Sequence, residues 1–280
     1  MSPDQIPTTL DLAWASFPCK DVSAAGSREG LDGAASGAWW PCWSVLQRLV
    51  DQGRAPGIIA LENVRGLIGS NKGRDFAAII GVLVSAGYRV GAVVIDARDF
   101  LPQSRVRIFV VAVFGDVSLP SGLVSVIPND HYHPMDLSKA VDQLPAGIKR
   151  NWVWWHLPKA PPMTMTLADL LDPEEGTTRW HSIRETSDLV DTMGPIDLIK
   201  LEDAKKSDTH RVGMIYVRSR PDVTGRRRRA SVRLDGCAGC IVTPNGKFSA
   251  QIILDVLGNT VRTRGMTIGE ASRLMGMPST

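Results

Sequence analysis

Gly57-Ile58-Ile59-Ala60-Leu61-Glu62 decides the fold: an apolar run with no polar break that ends on a carboxylate. A run this short and this continuous reads as a strand buried on both faces. Upstream, residues 38–51 carry Trp39, Trp40, Trp43, Leu46, Leu49 and Val50 at helical spacing and close on Gly53. Downstream, residues 74–85 form a second helical pattern capped by Gly87. Outside these lie a short apolar run over residues 10–17, stopped by Pro18, and two further strand patterns at 88–95 and 107–113, joined through 100–105. Strand, helix, strand, helix, strand is the order of a doubly wound α/β sheet, whose ligands lie beyond the carboxyl ends of the strands.

That topology puts three chemically distinct pieces at one end of one sheet. Ser16-Phe17-Pro18-Cys19-Lys20-Asp21-Val22-Ser23 follows the first strand, Glu62-Asn63-Val64 closes the second, and Pro102-Gln103-Ser104-Arg105-Val106-Arg107 opens the last. A cysteine, a carboxylate and two arginines converging there make a candidate active site. Arg105 and Arg107 alternate with Ser104 and Val106, so the period of a strand points both guanidiniums to one face. A stretch with Gly26, Gly30, Gly33 and Gly37 behind the cysteine reads as mobile.

Composition narrows the classes. With 280 residues, 44% of them hydrophobic, the chain is long enough for one large domain or a domain and a smaller module. A net charge of +3 is compatible with a nucleic-acid partner without requiring one. Four cysteines (Cys19, Cys42, Cys237, Cys240) are too few and too unevenly spaced for a secreted disulfide framework, and no apolar run reaches the roughly 20 residues of a membrane helix. The expected setting is a reducing cytoplasm. All five histidines lie beyond residue 130, so none stands in a motif beside Cys19, which disfavours a Cys-His hydrolase. Cys237 and Cys240 form one C-x-x-C with no second pair, a weak zinc signal that reads as structural.

In order, spacing and residue type the three pieces resemble the DNA (cytosine-5)-methyltransferases, with their proline-cysteine loop, glutamate-asparagine-valine element and glutamine-x-arginine-x-arginine element. The resemblance continues through Arg233-Leu234-Asp235-Gly236-Cys237-Ala238-Gly239-Cys240, Thr243-Pro244, and Arg264-Gly265-Met266-Thr267-Ile268-Gly269-Glu270 with Arg273-Leu274-Met275-Gly276. It implies a partial Rossmann-like methyltransferase sheet over 1–118, an irregular target-recognition region over 119–230, and a return segment, 231–280, packing on the core. It implies methyl transfer from S-adenosylmethionine to carbon 5 of cytosine in double-stranded DNA through a cysteine adduct. Cys19 is the nucleophile in this reading, Glu62 the proton donor or hydrogen-bond partner at ring nitrogen 3, and Arg107 the contact to the base. Arg105 and Gln103 support it, Asn63 orients the cysteine loop, and Pro18 and Ser23 face the substrate.

The chain also departs from the family. Eighteen residues precede Cys19 and contain no phenylalanine-x-glycine-x-glycine turn, so the expected cofactor motif is absent and its binding residues are unassigned. Lys20 stands where the family usually has glutamine, and Gly258-Asn259-Thr260-Val261 mimics the family's closing glycine-asparagine element too early in the chain. The implied protein lacks most of its cofactor half. It works with a complementing chain that brings that half, or persists as an inactive DNA-binding remnant, associated with the nucleoid of a prokaryotic or phage-infected cell.

Overall fold

The computed structural model describes residues 6–22, 29–34, 36–115, 117–172, 179–207, 209–222, 225–241 and 251–277. Ser23, Gly26 and Thr243-Pro244 lie outside them. The chain divides into two units, residues 1–95 with 106–159, and residues 96–105 with 160–280.

The first unit is a Rossmann-like α/β layer. Its strands are β1 (Leu12–Ser16), β2 (Ile58–Val64), β3 (Tyr88–Asp96) and β4 (Val106–Phe114), in the order β1-β2-β4-β3. β1 runs parallel to β2, with Ser16 level with Glu62, while β4 is antiparallel to β2, with Arg107 level with Val64. Helices α1 (Trp39–Asp51) and α2 (Arg74–Ser85) fall where the sequence periodicity put them. Alternation along the strands sorts the two faces. Ile108, Val110 and Ala112 of β4 and Val90, Ala92 and Val94 of β3 pack with Trp39, Trp43 and Leu46 of α1 and Phe76, Ile79, Ile80 and Leu83 of α2. α3 (Met135–Asp142) adds Leu137 and Val141 to that core, and α4 (Ala146–Lys149) follows it.

The other face of the sheet explains why this unit runs past residue 118. Val93, Phe109, Val111 and Val113 are covered by Tyr132, Trp155 and their neighbours, around the short pair β5 (Val124–Ser125) and β6 (Trp154–Trp155). Val90 exchanges backbone hydrogen bonds with Asn151 and Val153, extending the sheet beyond β3. Residues 119–159 therefore pack with the first unit, whereas the sequence grouped 119–230 together. An added Cβ on Gly91 would lie 2.0 Å from the Val153 carbonyl, so only glycine admits that approach.

The second unit is not irregular. α5 (Ile183–Val190) and α6 (Pro195–Lys205) accompany a four-stranded antiparallel sheet of β7 (Arg211–Asp222), β8 (Gly225–Arg233), β9 (Ile252–Leu257) and β10 (Thr260–Gly265), in the order β10-β9-β7-β8. α7 (Ile268–Leu274) closes the described chain. Residues 231–280 belong to this unit because β9 pairs with β7 over five positions. Gly258-Asn259 is the two-residue turn of the β9–β10 hairpin, with Gly258 at φ +54°, so the glycine-asparagine resemblance there is a turn. α7 carries a capping box, Thr267 and Glu270 each satisfying the other's backbone N–H.

Candidate active site

Within the first unit, β1 and β2 leave the sheet side by side, so the cysteine loop and Glu62 emerge at the same end. The loop is held by its own carbonyls. Asn63, buried at the end of β2, donates from Nδ2 to the Phe17 carbonyl at 3.1 Å, and its Oδ1 accepts from the Val64 N–H at 2.8 Å. Ser36 Oγ donates to the Pro18 carbonyl at 2.9 Å and accepts from the Asp21 N–H at 3.1 Å, while Asp21 Oδ2 accepts from the Ser36 N–H at 2.7 Å. Cys19 sits between these anchors, half-buried against the core.

The glycine-rich stretch read as mobile is, where described, part of this scaffold. Helical turns over Gly30–Asp32 and Ser36–Ala38 pack behind the loop, and an added Cβ on Gly33 would fall 2.4 Å from the Asp21 carboxylate. Asp75, from the first turn of α2, accepts from Leu31 N–H at 3.2 Å and from Ser70 Oγ at 2.6 Å. Ser36, Asp21 and Asp75 went unnoticed as scaffold residues in the sequence, because nothing local marks a serine that reaches back 18 residues to a carbonyl.

Glu62 is gripped from two sides. Arg107 Nε lies 2.8 Å from Oε1, with both side chains largely buried, and Ser16 Oγ donates to Oε2. Ser16 had no assigned role, yet its register opposite Glu62 makes the contact unavoidable. Arg107 also donates from Nη1 to the Val106 carbonyl at 2.8 Å.

The two arginines fall in different units. β4 begins at Val106, so strand alternation does not extend back to Arg105. Arg105 belongs to the second unit, with Nη1 3.2 Å from Cys240 Sγ and its N–H on Asp96 Oδ1 at 2.7 Å. Gln103 is buried in the same unit. Its Nε2 donates to the Leu274 carbonyl at 2.6 Å, and the flanking Ser104 N–H and Pro102 carbonyl pair with Ala238. These contacts brace residues 96–105 against the C-terminal segment.

The cysteines are differentiated by environment. Burial pushes the thiols of Cys42 and Cys237 up, keeping both protonated and unreactive. Cys19 is the cysteine at the strand tip beside Glu62 and Asn63.

The family model of the C-5 cytosine-specific DNA methylases matches residues 1–280. The chain belongs to that family. The Type II methyltransferase M2.BsuMI of Bacillus subtilis (strain 168) is 37% identical over 105 residues, 37% of this chain and 27% of that protein. M.DsaV of Dactylococcopsis salina is 38% identical over 112 residues, 40% of this chain and 30% of that protein. The solved Dnmt2 methyltransferase of S. pombe superposes over 96% of this chain and 66% of its own, at 15% identity and a TM-score of 0.42. The matched stretch thus amounts to less than a third of these curated relatives. Members of the family take their methyl group from S-adenosylmethionine. No helix among the described residues is long and apolar enough to cross a membrane.

Proposed function

We propose that this chain carries the base-activating machinery of a DNA (cytosine-5)-methyltransferase working in the cytoplasm on a base flipped out of double-stranded DNA. The observation that carries the reading is the Ser16–Glu62–Arg107 cluster at the same sheet end from which the Asn63-anchored cysteine loop departs. The Cys19 thiolate adds to carbon 6 of cytosine, forming an S–C6 bond. The C5–C6 π pair shifts onto carbon 5 in an enamine-like anion, whose charge toward nitrogen 3 is met by a proton or hydrogen bond from Glu62. Arg107 holds Glu62 in place and, in this reading, contacts the base carbonyl. Once that pair on carbon 5 has bonded to the transferred methyl group, carbon 5 is sp3, and loss of its proton with expulsion of the Cys19 thiolate restores the C5–C6 double bond. Pro18 shapes the loop, and Gln103 and Arg105 act through the segment they brace.

Three carboxylates around the loop are engaged within the chain: Asp21 with Ser36, Glu62 with Arg107 and Ser16, Asp75 with Leu31 and Ser70. A complementing chain supplies the donor site in this reading. β1 suits such an addition, since it is the edge of the described sheet and exposes Leu12 and Trp14. The test is transfer of labelled methyl groups from S-adenosylmethionine to mixed-sequence DNA, by this chain alone and with lysate fractions of its host. Label that appears only on addition of a fraction, and disappears with Cys19→Ala, supports the reading. Label that persists in the variant refutes it.

A further inference from the structure

In the hairpin of β7 and β8, Arg218 stands directly opposite Arg229. Like charges in that register repel across a few ångströms and destabilise a sheet unless something neutralises them. Both side chains line a cleft with Ser231, Gly194 and Asp197 at the first turn of α6. The backbone at Thr192 hydrogen-bonds the outer edge of β8 at Ala230, which fixes the distance across the cleft. The Arg229 guanidinium lies flat against Gly194: an added Cβ there would be 3.0 Å from Nη2 and 3.3 Å from the central carbon. Glycine at 194 therefore admits an oriented guanidinium. The acid in the cleft is already answered, since Asp197 Oδ1 accepts from the Val232 N–H at 3.0 Å and faces Lys200 Nζ at 3.5 Å.

We infer that Arg218 and Arg229 form a clamp for one backbone phosphate of DNA, gripping it between opposed guanidiniums with the Ser231 hydroxyl beside them. A phosphate resolves the like-charge pairing and matches the planar donors of arginine. The four consecutive arginines at 226–229 in the sequence of β8 favour a polyanion over a small free anion. The clamp positions DNA without reading its bases, and it rests on the reading of the chain as one that acts on DNA.

The test uses the full chain and a fluorescein-labelled mixed-sequence duplex, with binding followed by anisotropy from low to moderate NaCl. R218Q/R229Q should weaken binding about tenfold near ~0.1 M salt and reduce the slope of log K against log[NaCl] by about 1, equally for unrelated sequences. K205Q/K206Q, which removes the same charge from the far end of α6, should leave the slope within error. An unchanged slope in R218Q/R229Q, or an equal loss in K205Q/K206Q, would overturn the clamp. Should the wild-type chain bind no duplex, the DNA reading fails, and the clamp is judged separately with inorganic phosphate as the probe. Nε–Hε resonances of Arg218 and Arg229 that shift with phosphate, but not with chloride at matched ionic strength, uphold an anion site. Resonances that stay still overturn it.

Discussion

Glu62→Gln should lower the rate of base activation by about 10²–10⁴-fold, the usual worth of a positioned proton donor or acceptor. Glutamine keeps the size of the side chain and its hydrogen bond with Ser16, so β2 and its register with β1 should survive. What it loses is the charge that holds Arg107 at 2.8 Å and the ability to pass a proton to a ring nitrogen. The measurement is single-turnover exchange of the cytosine carbon 5 hydrogen at saturating DNA, with binding measured in parallel. A large fall in rate at unchanged affinity is expected. A fall in affinity at unchanged rate would make Glu62 a binding group and not a participant in the chemistry.

The second large effect is on stability. Arg264 and Glu270 form a bidentate pair at 2.9 and 2.6 Å in which neither side chain sees appreciable solvent, and Glu270 also accepts from the Thr267 and Asp172 N–H groups. Glu270→Ala leaves a buried guanidinium without its counter-charge and removes half of the capping box. It should cost about 3–5 kcal/mol in urea denaturation of the full chain. Replacing both partners with apolar residues should recover much of that loss, because the desolvation penalty disappears with the charges.

The same carboxyl makes stability depend on pH. Burial pushes Glu270 up, but Arg264 and the two backbone N–H groups hold it below its ordinary value. Its contribution is therefore complete above the unfolded carboxylate range and lost as pH falls through the lower folded value. Glu270→Ala should remove that share of the acid sensitivity. A loss below about 1 kcal/mol would contradict the account of the buried pair.

How much of this was legible depends on how local each signal is. β2, α1, α2 and the α7 capping box were readable because apolar periodicity and cap residues lie within a few positions of one another. β7 and β8 were not, because arginines at 226–229 mask any two-residue alternation and the pairing comes from partners elsewhere in the chain. The split at residue 159 was hidden for a similar reason: Trp155 and Tyr132 look like loop aromatics until Val93 is seen beneath them. In the site, residue types and order singled out Cys19, Glu62 and Arg107, of which Glu62 and Arg107 pair at the end of β2. Long-range contacts were invisible. Gln103 answers to a carbonyl 171 positions away, and Arg105 precedes the strand whose alternation was borrowed to orient it.

The most direct test of the central claim is release of tritium from DNA carrying 5-tritiated cytosine, incubated with the purified chain without any methyl donor. Adduct formation at carbon 6 acidifies the carbon 5 position, so the account predicts slow release by the wild-type chain and none by Cys19→Ala. Release that continues in the variant at the wild-type rate would contradict a Cys19 adduct.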